Sequence, residues 1–501
     1  MNNRLIGYEF LREQLRTAAF PLARPARVAA VTKITSLPDV LAVPASVAPA
    51  SDTALDHLQF ALKHEGMQLQ AVMLALKKIE GLQLARAFTK SPSSAYLRQI
   101  GYLWELANGV RLKDLPLATG PYTRLFDPAR FVTGSIQRNT RWRVDFNGIG
   151  SPAYCLTVRR TPELERLLAK NILGAAQAFV SGLDKSVIDR AVRWAYLSET
   201  QGSYAIENEK PSAGKTEAFA ALLARAHEPV PVSEPYLVAL QNLAVTNPMD
   251  KAVQFRTAQN WLRNALPGAL GVSYLPPPPD LMMSIMDQIM ALANQTDNGL
   301  DPLVHGALVS FAFVFAHPFM DGNGRLSRFL FHKLVCAQGK LPNGLVLPIS
   351  VAMKRNEDQY LRALQTFSRP AREMWQVTAI DDAHIDASFK GEPETYRYWD
   401  ATPCVEFGLQ MAEQALEHDL RDESDFLRTF DIAYRAVNEA IDMNNNDLVL
   451  LIRSCLQNDQ VLSKGRKKQL IARGHAAALI DDAERIIQES VASLTPQNLV
   501  A

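Results

Sequence analysis

The chain has little of what would tie it to a membrane, a disulfide scaffold or a nucleic acid. Only four of its 501 residues are cysteine (Cys155, Cys336, Cys404 and Cys455), far apart and never spaced Cys-x-x-Cys. That spacing suits neither a zinc ribbon nor a disulfide framework, and a reducing, cytoplasmic location is expected. No apolar run reaches the roughly twenty residues that cross a bilayer. The stretch Leu303–Ala316 falls short and contains His305, so no membrane partner is expected. Met1 to Gly7 lacks the apolar core of a signal peptide. An excess of one charge is missing too: 53 Lys and Arg stand against 52 Asp and Glu, a net charge of +1. That balance gives no general pull toward nucleic acid or acidic lipid. One basic cluster, Lys464-Gly-Arg466-Lys467-Lys468, is offset by Asp481, Asp482 and Glu484 and has no interleaved aromatic. A solvated helix end is expected there, not a nucleic-acid surface. Repeats and low-complexity tracts are absent. What remains, 48% hydrophobic and 21% charged residues, is the make-up of an ordinary soluble globular protein of two or three domains.

The pattern divides the chain into three parts. Residues 1–165 read as mixed α/β. Pro21 to Pro49 looks extended or looped, Asp56 to Gly81 and Tyr96 to Ala107 look helical, and Arg141–Phe146 and Ala153–Arg159 look like strands. Asn147-Gly148-Ile-Gly150 between those strands predicts a hairpin turn. Residues 166–375 read as helical, interrupted by a proline-rich loop at Ala226–Pro235. Residues 376–501 again read as helices, with breaks at Gly391-Glu-Pro393 and Asn444–Asp447.

Against this background one run stands out: His317-Pro-Phe319-Met-Asp321-Gly322-Asn323-Gly324-Arg325-Leu-Ser-Arg328. It gathers a candidate base, a candidate metal-binding carboxylate, two glycines and two arginines where a helix is about to start. The helix is signalled by Leu326, Phe329, Leu330, Leu334 and Val335. Each glycine costs such a helix about 1 kcal/mol relative to alanine. In exchange it bares backbone N–H groups at a helix N-terminus, where the dipole attracts anions. Arg325 and Arg328, three apart, are expected on one face, able to grip the same polyphosphate. Pro318 biases His317 away from the helical region. A structural histidine beside a tight turn would leave the other residues unexplained. His305, His332 and Cys336, on the apolar helices either side, read as core.

The run is similar to the motif of the Fic family, His-x-Phe-x-Asp/Glu-Gly-Asn-Gly-Arg-x-x-Arg, and every fixed position matches. The resemblance implies a Fic-type helical core, in which a hydrophobic helix leads into the motif loop and a second helix leaves it, with a β-hairpin flap. Together with the mixed N-terminal domain and helical C-terminal extension read from the pattern, the expected fold is mainly α. The resemblance also implies AMP transfer from ATP to a Tyr, Ser or Thr hydroxyl of a target protein, with ATP as substrate and Mg²⁺ as cofactor. His317 would be the general base, its ordinary pKa near 6.5 suiting neutral pH. Asp321 would hold Mg²⁺, and Phe319 would anchor the loop. Asn323 and the amides around Gly322 and Gly324 would form an anion hole. Arg325 and Arg328 would neutralise the β- and γ-phosphates.

Two weaker matches accompany it. Ser203-Tyr-Ala-Ile-Glu207-Asn208 resembles the inhibitory motif of the family's second class, Ser/Thr-x-x-x-Glu-Gly/Asn, and places an inhibitory helix near 190–210. Glu207 would then pair with Arg328 and deny it to the γ-phosphate. The bland alternative is an amphipathic helix whose Trp194, Tyr196, Leu197 and Ile206 are simply core. Arg256-Thr-Ala-Gln259-Asn260-Trp261 and Tyr274-Leu-Pro276-Pro-Pro-Pro279, with Pro267, Gly268 and Gly271 as turn residues between, resemble the flap that docks a target protein as an added strand. A polyproline spacer before a helix near Asp280 is compatible with that. Three functions stay open: AMP transfer restrained by Glu207, removal of AMP by the same site, and nucleotide binding by a non-catalytic regulator. A kinase variant carries lysine where this chain has Gly324, so phosphate transfer is not expected. Donors such as UTP, GTP or CDP-choline and a homo-oligomeric state are left open.

Overall fold

A computed structural model describes residues 4–264, 268–295, 298–337, 341, 344–381 and 384–493. It is mainly helical, with three small sheets built largely from the N-terminal third and two hairpins further on. There, helices Ala54–His64, Leu69–Leu76, Gly81–Lys90 and Ala95–Asn108 pack around one apolar core that includes Trp142 and Phe146. The helical run expected from Asp56 to Gly81 is thus two helices, parted where Gly66 takes a φ of +87°. The Pro21–Pro49 stretch contributes short strands to a four-stranded sheet. The hairpin expected around Asn147–Gly150 lies elsewhere. Val144–Phe146 pairs with Thr123–Arg124 and Gln137–Asn139, while Ile149–Ser151 turns back onto Tyr154–Arg159. Asn147 is buried, exchanging two hydrogen bonds with the Phe126 backbone, and a Cβ on Gly148 would lie 2.5 Å from Cys155 Sγ. These residues let the chain cross between sheets; they do not form a turn.

The main core runs from Ile149 to Leu420. We label its relevant elements in order: helix α1 (Lys185–Ile206), strands β1 (Leu262–Arg263) and β2 (Val272–Tyr274), helices α2 (Pro302–Ala316), α3 (Asn323–Ala337), α4 (Ile349–Arg355) and α5 (Glu357–Glu373), strands β3 (Trp375–Ala379) and β4 (Ile385–Phe389), and helix α6 (Thr402–Gln414). Asp301 caps α2, accepting from the Leu303 amide at 2.8 Å, and Pro302 starts it. As its uninterrupted apolar sequence requires, α2 is buried nearly all round, between the helix Pro279–Ala293, α3 and α6. His305, His332 and Cys336 are buried, as expected of core residues.

Residues from 376 onward were expected to be helical, yet they open with strands. β3 and β4 form an antiparallel hairpin, and Tyr398–Asp400 runs parallel to Tyr154–Arg159. Trp375, Val377 and Phe389 pack against Val272 and Leu275, so this second hairpin backs the β1–β2 hairpin. Arg372 ties the two, donating to the carbonyls of Val272 and Trp375. Beyond Arg421 the helices Arg421–Ala440, Asn445–Leu456, Lys464–Ala472 and Ala477–Ala492 enclose a separate small core. Lys467 in the basic cluster pairs with Asp481. Among the described residues no helix is long and apolar enough to cross a membrane.

Candidate active site

His317 closes α2. Its amide still bonds Phe313 O at 2.9 Å, but its φ of 51° and ψ of 58° are left-handed. Pro318 does exclude the right-handed helix, although the outcome is not the extended backbone usual before proline. This bend brings the ring back over α2, with Nδ1 3.1 Å from Val314 O. A carbonyl only accepts, so Nδ1 holds the proton and Nε2 keeps its lone pair. His317 is 8% exposed. Burial brings its pKa down to about 4; the Val314 bond opposes that and the Arg256 charge adds to it.

The loop beyond is held by the segment expected to belong to the flap. Arg256 donates from its amide to Pro318 O (2.8 Å), from Nε to His317 O (2.8 Å) and from Nη2 to Pro277 O (2.6 Å). Asn260 Nδ2 donates to Phe319 O at 2.9 Å. Residues 256–260 are therefore loop braces, and the hairpin proper is β1–β2; Pro267 lies outside the described residues. Phe319 is buried, its ring edge-on to Phe255. Asn323 Oδ1 accepts from the Phe319 amide (3.0 Å) and its Nδ2 donates to Phe319 O (2.8 Å). That side chain is spent on closing the loop, so any anion hole here is made by the first backbone amides of α3. Gly322 supplies the positive φ (+85°) that starts this helix.

The two arginines do not share a partner. Arg325 Nη2 donates to both oxygens of Asp321 (3.1 and 3.0 Å), while Nη1 donates to Glu209 Oε2 (2.9 Å) and Ala244 O (3.1 Å). Arg328 turns toward α1: Nε donates to Ser203 Oγ, and Nη2 to Ser203 O and Glu207 Oε1, all at 2.8 Å. Their expected common face is divided because each buried guanidinium takes the nearest carboxylate. Glu207, 34% exposed, ends α1. Burial would raise its pKa, but the Arg328 guanidinium, helped by that of Arg325, lowers it instead. Asn208 follows with a φ of 57°, which asparagine tolerates and which turns the chain out of the helix. A Cβ on Gly324 would lie 2.1 Å from Glu207 Oε1, so the glycine makes room for that carboxylate. Ser203 and Glu207 thus reach the His317–Arg328 run through Arg328, whereas Asn208 only turns the chain beyond them. Glu207, His317, Asp321 and Gly324 line one cavity of about 270 Å³ with Ile206 and Tyr360.

Several site residues escaped sequence reasoning. Glu199, buried on α1, accepts from the Ser350 amide at 2.7 Å and lies 2.8 Å from His332 Nε2. A Cβ on Gly202 would lie 2.9 Å from the Ser350 backbone, so α1 and α4 touch backbone to backbone. A glycine inside a helical pattern was the available signal. Gln241, buried, donates to Asp321 O (3.2 Å) and Asp250 O (2.7 Å). Nothing in the sequence marked Glu209. Among the described residues no three His, Cys, Asp or Glu side chains converge on a metal. Asp321, at this cavity beside a helix N-terminus, fits a cation that arrives with phosphates, as Mg²⁺ usually does, and not a resident all-protein site.

Residues 231–335 match the profile of the Fic/DOC family. Among curated proteins the chain is similar to the protein adenylyltransferase fic-1 of Caenorhabditis briggsae, 22% identical over 231 residues, 40% of this chain and 43% of that one. It is also similar to the protein adenylyltransferase Fic of Drosophila mojavensis, 32% identical over 93 residues, 18% of this chain and 17% of that one. A solved Fic family protein from Desulfovibrio desulfuricans is 20% identical, with a TM-score of 0.40 over 60% of this chain and 87% of that one. The chain thus spans less than half the length of these curated relatives. Residues 231–335, which hold the whole His317–Arg328 run, are thus a Fic/DOC-family region.

Proposed function

We propose that the chain is a protein adenylyltransferase, moving AMP from ATP to a Tyr, Ser or Thr hydroxyl of a target protein, restrained by its own Glu207. The reading is supported by the relatives named protein adenylyltransferase. The observation that carries it is the Glu207–Arg328 pair at 2.8 Å, whose carboxylate lines the same cavity as His317. His317 takes the proton of the attacking hydroxyl, whose oxygen bonds the α-phosphorus. The bond from that phosphorus to the α,β-bridging oxygen breaks, and pyrophosphate leaves with the electron pair. The amides at the start of α3 stabilise the added negative charge. Asp321 would hold the Mg²⁺ that accompanies the phosphates, and that ion would supply charge neutralisation. Arg328 can grip the γ-phosphate only after releasing Glu207, so ATP bound before that release lies misoriented. The β1–β2 hairpin at the cavity rim offers an edge to an extended target segment.

With labelled ATP and Mg²⁺, Glu207→Gly should label itself or a partner well above the parent, and adding His317→Ala should abolish the signal. Strong labelling by the histidine variant would sink the mechanism. A second reading, removal of AMP, is favoured by one feature: Glu207 stays ionised and partly open to the cavity, able to orient a water. Incubating the parent chain with an AMP-modified target and measuring released AMP separates the two.

A further inference from the structure

We infer that Glu209 is a positioning residue for Arg325, so that one turn carries a carboxylate restraining the site and another serving it. This rests on the reading of Arg325 as a phosphate-binding side chain. The Arg325 side chain is 1% exposed and lies over the Tyr204 ring, 5.2 Å from its centroid. Its donors are divided by direction. Nη1 faces Glu209 Oε2, Ala244 O and Thr246 Oγ1 at 2.9, 3.1 and 3.3 Å. Nη2 faces only Asp321. Glu209 is itself held, accepting from Thr246 Oγ1 at 2.6 Å.

When Asp321 turns to a cation, it gives up Arg325. A guanidinium so deeply buried needs a second anion, because an uncompensated buried charge is strongly destabilising. Glu209 is that anion. It holds Nη1 while Nη2, which Asp321 lets go, is freed to meet a phosphate oxygen. A second brake would have to occupy Nη2, or the space at Gly324 where Glu207 lies; Glu209 occupies neither. Glu207 and Glu209, two residues apart, therefore act in opposite senses.

The test uses the full chain in the Glu207→Gly background, with ATP affinity measured calorimetrically in Mg²⁺ and AMP transfer measured separately. Adding Glu209→Ala should raise the ATP dissociation constant and KM by roughly tenfold, the loss expected for one charged hydrogen-bond partner. kcat should fall less than KM rises, and the melting temperature should stay close to that of the background variant. Glu209→Gln, which keeps the hydrogen bonds but not the charge, should fall between. In an Arg325→Lys, Glu207→Gly chain, Glu209→Ala should add little, since both changes act on one contact. The inference is overturned if Glu209→Ala alone activates the native chain as Glu207→Gly does, or if it lowers the melting temperature and kcat with ATP affinity unchanged. ATP binding by Glu207→Gly without AMP transfer would overturn the proposed function and leave this inference standing. Absence of ATP binding by that variant overturns both.

Discussion

At the scale of the residue, the site shows how burial sets chemistry. His317 is the base in the proposed reaction only while neutral, and its pKa of about 4 keeps it neutral throughout the physiological range. An ordinary imidazole would lose half its base form near pH 6.5. The transfer rate of Glu207→Gly should therefore stay nearly flat from about pH 8 down to about pH 6 and fall only toward pH 4, where the ring gains its proton. A pH–rate profile that halves near 6.5 would contradict the buried placement of the ring. The residue identities were legible in the sequence because backbone exposure, charge and base lie within twelve consecutive positions. Their partners were not. That Asn323 would bond Phe319, or that Arg325 and Arg328 would turn to different carboxylates, depends on groups brought near by folding. The sequence spacing of three residues says nothing about these.

At the scale of the element, α1 presents Glu207 because it is pinned along its last turns. Glu199 reaches Ser350, Gly202 lets α4 approach, and Ser203 receives Arg328. Replacing Gly202 with alanine inserts a methyl 2.9 Å from the Ser350 backbone, and neither backbone has a side chain that can yield. The expected cost is about 1–3 kcal/mol of stability, as for other overpacked sites. AMP transfer should rise as Glu207 is carried off Arg328. Thermal unfolding and self-labelling measured together check this; lost stability without added labelling would mean that the contact supports the fold alone. Helix α2 was readable from its unbroken apolar sequence, whereas β3–β4 was not. Its strands alternate exposure, pack on another hairpin and follow a helix, so local pattern carried little of their pairing.

At the scale of the whole molecule, the C-terminal helices past Arg421 have a core of their own yet touch the helix that bears Glu207. Arg190 on α1 donates to Asp431 at 2.9 Å, and Arg421–Ala440 lies along α1. Truncation after Leu420, where the main core ends, should leave circular dichroism characteristic of a folded helical chain. It should also raise self-labelling, because α1 loses its outer support. A truncated chain as quiet as the full one would show that the inner contacts suffice. The sequence marked the C-terminal breaks correctly at Asn444, which caps Asn445–Leu456, but could not show which earlier helix this part would lean on. Contacts across more than two hundred positions leave no local trace.

Where Gly202 meets Ser350, two main chains press together with no side chain between them as a cushion. Interfaces this tight resist gradual sliding and favour discrete alternatives. Under the proposed function α1 is expected either seated or detached, and an effector that relieves the protein would trap the detached form. Its output will then follow the fraction of molecules released, in the manner of a toggle and not of a dial.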